Sequence, residues 1–180
     1  MKFIDPHHDE WHAADATAQP APREHALLTL AQWTALRADW PRQVPVGVHL
    51  ANDETVESLR DDAARLALVT LEFPRWTDGR AYSQARLLRT RLRFTGEIRA
   101  TGEVLVDMLP LLQRTGFNAV QLRPDQRLDS AQRSLRFFAS HYQGDTQEVR
   151  PAFGRDATAM QAPLAASEPR HRGAAVVGAL

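Results

Sequence analysis

Four short apolar runs, "VPVGVHL", "LALVTLEF", "GEIRATG" and "NAVQLR", begin roughly 22 to 30 residues apart, and each is followed by a stretch with helical spacing. Strand and helix alternating at this interval mark βα units, in which parallel strands are joined by helical crossovers. The predicted class is α/β, a mainly parallel sheet made of repeated βα units. An open sandwich and a partial barrel are built from the same unit, so periodicity leaves both open.

The linking segments carry helix signals of their own. After Leu50, "NDETVESLRDDAARL" sets Val56, Leu59, Ala63 and Leu66 at helical spacing, with Asp53 or Thr55 as N-cap. A helix is predicted from about Gly79 to Leu92, capped by Thr77 or Asp78, its apolar stripe being Ala81, Ala85, Leu88 and Leu92. In "EVLVDMLPLLQRTG", Gly116 stands where a C-terminal glycine belongs, and Pro110 either kinks the helix or confines it to its start. "LDSAQRSLRFFASHY" reads as the last helix, and "ALLTL" at 26–30 as a strand leading into a helix over 31–39. Residues 1–25, rich in Ala, Pro, His and acid, read as a flexible arm in which only "KFI" is strand-like. The α/β domain is expected over 26–145, and the Pro, Gly and Ala of 146–180 predict a disordered tail.

Composition removes several function classes. Lys plus Arg and Asp plus Glu both total 22, so no overall charge favours nucleic acid or an anionic membrane. With no cysteine, disulfides, thiol redox chemistry and cysteine-ligated metal are excluded. No apolar stretch reaches the roughly 20 residues of a membrane span, and a cytoplasmic location is expected. The chain lacks GxGxxG, Walker A and nucleophile-elbow sequences. No cofactor is required by motif, and a redox role would need a borrowed one such as flavin. "HHDEWH" (His7, His8, Asp9, Glu10, His12) has metal-ligand chemistry, but adjacent histidines in an arm do not converge on a tetrahedral site, so no metal is expected.

Parallel α/β folds bind ligands outside the carboxyl ends of their strands. That rule selects His49, Asn52 and Asp53 after the first of the four runs, and Glu72, Arg75, Trp76, Asp78 and Arg80 after the second. It adds Arg99, Thr101 and Gly102 after the third, and Arg123 and Asp125 after the fourth. Residues 75 to 99 hold seven arginines against two acids, a surplus of five positive charges in a neutral chain. Arg75, Arg80, Arg99 and Arg123, with the free amides of a helix starting at Asp78–Gly79, would suit a small oxyanion. Trp76, Tyr82, Ser83 and His49 would support it as walls or hydrogen-bonding groups. Equally, Arg75 and Arg80 would pair with Glu72 and Asp78 merely to fasten the loop, while Arg86, Arg89 and Arg93 form a solvated face or an interface.

The run "FPRWTDGRAYSQARLLR", followed by "FTGEIRATGEVLVDMLPLLQRTGFNAVQLR" and "FFASHYQ", resembles the bacterial domain of unknown function 934 family. The likeness covers roughly residues 26 to 145 and rests on Phe73, Pro74, Thr77, Asp78, Gly79, Arg80, Tyr82 and Ser83, with Gly96, Glu97, Gly116 and Phe117 downstream. It implies an oxidoreductase or accessory protein of assimilatory sulfite reduction, partnered by the sulfite reductase hemoprotein. Thr115 stands where the family often has a cysteine. Two expectations follow from residues and resemblance together. One is an accessory protein of sulfite reduction with an arginine-lined anion site. The other is a non-catalytic module docking on a sulfite reductase subunit through the arginine face of helix 79–92.

Overall fold

A computed structural model describes residues 1–15, 19–137, 141–146, 148–151 and 153. The apolar runs form strands β4 (Val46–Leu50), β5 (Leu66–Phe73), β6 (Glu97–Gly102) and β7 (Ala119–Val120). Three more strands precede them: β1 (Lys2–Phe3), β2 (His12–Ala13) and β3 (Ala26–Thr29). All seven belong to one sheet in the order β1-β7-β6-β5-β4-β3-β2, and every pairing is parallel. Residues 1–25, expected as an arm, thus supply a strand to each edge of the sheet.

From β2 to β7 the chain steps across the sheet in one direction without reversing. Crossovers between parallel strands are right-handed, so a sheet wound one way carries its helices on a single face. These are α1 (Leu30–Leu36), α2 (Arg80–Thr90), α3 (Leu109–Thr115) and α4 (Leu128–Arg136). Beneath them lie Val48, Leu50, Val69, Leu71, Phe73, Ile98, Ala100 and Val120, all fully buried. The residues between these point to the opposite face, as strand pleating requires.

Only eight residues, 4–11, join β1 to β2 at opposite edges of the seven-stranded sheet. A flat sheet of that many strands is about 29 Å wide, which eight residues span only when almost fully extended. The linker is not extended, since it turns at the His8 N–H to Asp5 carbonyl bond of 3.1 Å. The sheet therefore curls into a half-barrel, and residues 4–11 strap its concave face. Asp9 reaches the guanidinium of Arg99 on β6, and the Trp11 ring lies over Gly47 on β4, where an added Cβ would sit 3.0 Å from the indole. Between the two alternatives left open by periodicity, the structure has the partial barrel.

The predicted helix after Leu50 is two 3-10 turns, Val56–Leu59 and Ala63–Arg65. Its Asp, Asn, Ser and Thr content disfavours a helix interior, and Asp62 is held elsewhere. This buried carboxylate accepts from the Trp33 indole N–H at 3.2 Å and from Arg37 at 3.0 Å. Val56, Leu59 and Ala63 are nevertheless buried as the spacing predicted. Pro110 falls in the first turn of α3 after a 3-10 turn at Val106–Met108, and Gly116 closes α3 with φ +112°. Of the expected tail, residues 147, 152 and 154–180 lie outside the described residues, as do 138–140 of the last predicted helix. No helix among the described residues is long and apolar enough to cross a membrane.

Candidate functional site

The loop after β5 runs over Pro74, Arg75, Trp76, Thr77, Asp78 and Gly79 into α2. Gly79 occupies the N-cap position without a side-chain bond of its own, so Asp78 supplies the acceptor. Its Oδ1 takes the Arg80 backbone N–H at 3.2 Å and the Arg80 Nε at 3.0 Å, while Oδ2 takes the other guanidinium arm at 2.7 Å. Asn52, from the end of β4, donates to the same oxygen at 2.7 Å. Bonds from the Arg80 side chain and backbone hold the Asp78 carboxyl down at about 2. The free amide at the start of α2 is therefore already matched to a negative charge.

The other three arginines expected to meet at the strand ends are distributed, and no two of the four share a carboxylate. Arg99 is 2% exposed on the concave face, between Asp9 of the strap and Glu97, whose Oε1 accepts from its Nε at 2.8 Å. Arg123 donates to Glu103 at 2.6 Å and to both oxygens of Asp125, at 2.6 and 2.7 Å, which pushes its own pKa up and brings Asp125 to about 2. Arg75 is exposed and makes no side-chain hydrogen bond or ion pair among the described residues.

Trp76 beside it is 57% exposed. Tyr82 turns inward, edge-on to Phe73 at 5.1 Å and to Phe117 at 6.5 Å, and burial pushes its phenol up. Ser83 is on the exposed side of α2.

The three arginines expected as a partner face divide. Arg89 is half-buried and donates to the carbonyls of Gly116, Phe94 and Gly96 at 2.7 to 3.0 Å, tying α2 to the ends of α3 and the loop before β6. Arg86 and Arg93 are exposed with no side-chain partner among the described residues, and so is Arg91. Unpaired arginines thus flank α2, Arg75 beside Trp76 before its start and Arg86, Arg91 and Arg93 in its last turns and just beyond.

A second polar group lies on the concave face. His49 stands opposite Thr70 in the β4–β5 register, and Glu72 opposite Thr101 in the β5–β6 register. The imidazole is clamped, Nδ1 being 2.9 Å from the Thr70 hydroxyl and Nε2 3.6 Å from a Glu72 oxygen. Thr70, buried at 1% exposure, had no place among the sequence candidates. The available signal was the alternation in "LALVTLEF", where Thr70 and Glu72 interrupt one side of an otherwise apolar strand.

A comparison with curated proteins finds no match. A family model described as "Bacterial protein of unknown function (DUF934)" matches residues 47–153, from β4 through α4 and beyond. The match takes in the Asp78–Arg80 loop, the arginine surface of α2 and the His49 cluster. It covers more than half of the chain, which therefore belongs to this bacterial family.

Proposed function

We propose that the chain is an accessory protein of assimilatory sulfite reduction that acts by docking, presenting the arginine surface of α2 to an acidic face of the sulfite reductase hemoprotein. The sulfite connection rests on the family resemblance alone. The docking mode rests on one observation: Arg75, Arg86, Arg91 and Arg93, before, on and just after α2, are exposed without partners among the described residues, and Trp76 next to Arg75 is exposed as well. Arginine and tryptophan are the residue types enriched at interface centres, where an indole fills a pocket and guanidinium groups meet carboxylates. An oxyanion site at Arg80 or Arg123 is less favoured, because the anion would have to displace carboxylates already bonded to both.

The test pairs the purified chain with the hemoprotein. Association should weaken as salt rises, and Arg86→Glu with Arg93→Glu should slow it at least ~10-fold, as expected for steering charges. A strain lacking the gene should fail to grow on sulfate or sulfite and recover on sulfide. Absence of any complex at low salt would exclude this partner. Normal growth on sulfite would remove the pathway.

A further inference from the structure

Two carboxylates lie on the strands' concave face, and they are differently placed. Glu97 has Arg99 and, at 3.5 Å, Lys2 beside it. Glu72 has no lysine or arginine partner among the described residues; its one ionisable contact is His49. Both side chains are open to solvent, Glu72 at 43% and His49 at 35% exposure, whereas Thr70 behind them is buried. In a half-barrel this is the carboxyl-end mouth of the concave face, where side chains of neighbouring strands converge on a small molecule.

The acceptors are arranged as a set. The Thr101 hydroxyl directs its hydrogen to the Leu71 carbonyl at 3.4 Å, which leaves its oxygen able to accept. Glu72 offers a negative charge and two oxygens, and the imidazole is fixed in place by Thr70. A primary ammonium carries three donors and one positive charge, matching the Glu72 carboxylate, the Thr101 oxygen and, in the tautomer whose Nδ1–H donates to Thr70, the imidazole Nε2. We infer that Glu72, His49 and Thr101 form a binding site for a small cation of the primary-ammonium class. This site is separate from the arginine surface of α2 and opposite to it in sign, so it does not depend on the docking proposal.

Methylammonium is the probe, and the His49 ring-proton resonance of the full chain, identified from the spectrum of His49→Gln, is the readout. Titration to ~100 mM, beyond the millimolar dissociation constants expected of so small a ligand, should shift that resonance saturably. Equal sodium chloride should not. Glu72→Gln, which keeps the side-chain shape and removes the charge, should weaken the shift at least tenfold while the melting curve shows a folded protein. If that variant does not fold, Thr101→Val decides, with a severalfold weaker shift expected. The inference is overturned if methylammonium gives no saturable shift, if a folded Glu72→Gln or Thr101→Val responds as the wild type does, or if sodium sulfite gives the larger saturable response.

Discussion

Gly102 ends β6 with φ +86°, and a Cβ placed there would lie 2.4 Å from the Phe73 carbonyl oxygen. Two penalties coincide, a left-handed backbone and a collision with main chain that cannot rotate away. Gly102→Ala should cost about 2–3 kcal/mol of stability in denaturant unfolding. Gly79→Ala is the control. Gly79 has φ −85°, and its added Cβ would meet only the Tyr82 ring, at 3.7 Å, so its effect should stay within about 0.5 kcal/mol. In the sequence the two glycines look alike, each standing among the candidate groups that follow an apolar run. What separates them is the backbone conformation fixed by the neighbouring strand. The same limit applies to Arg89: helical spacing grouped it with Arg86 and Arg93, but three carbonyls brought near by the α3 end and the loop before β6 claim its guanidinium. Spacing along one helix carries no information about acceptors contributed by another element.

Asp62 decides the shape of a whole segment. It bonds Trp33 of α1 and Arg37 after it, and lies 3.7 Å from Arg65, so the stretch between β4 and β5 is fastened to α1. Asp62→Ala would leave a buried indole N–H without its acceptor and part the arginines from their counter-charge. A loss of about 3 kcal/mol is expected in denaturant unfolding, with a blue shift in tryptophan emission excluded if Trp33 becomes wetter. Elements set by local chemistry were legible: α2 with its Asp78 start, α3 with Pro110 in the first turn and Gly116 at its end, and the apolar strands. The two 3-10 turns were not, because the hydrogen bonds that replace the helix come from α1, some 25 to 29 residues earlier. Strand β1 was legible in "KFI", but β2 was missed for a related reason: it has two residues, too few for alternation to register, and it exists only through its partner β3.

For the molecule as a whole, three surface carboxylates couple stability to acid. Asp78, Asp125 and Asp129 are brought from 3.8 to about 2 by hydrogen bonds from Arg80, Arg123 and Arg127 respectively. A depressed folded-state pKa means that the unfolded chain takes up protons first, so the stabilisation is complete above 3.8 and disappears as pH falls from there through about 2. Melting temperature should fall across that window, and Asp→Asn at all three positions should flatten the decline. Because Asp125 and Asp129 are exposed, about 1 M salt should reduce the same slope.

The pairing of β1 with β7 also governs the order in which the molecule can be assembled. Lys2 and Phe3 find their strand partners at Ala119 and Val120, and Asp9 finds Arg99, so residues 2–9 gain these contacts only after most of the chain has followed. Contacts this distant in sequence slow folding, since a large loop must close before they contribute. On the ribosome, a nascent chain ending before β7 can pair β3 through β6 but cannot complete its edge. Residues 2–3 are then among the last to be installed, and a change to them would be felt at that final step.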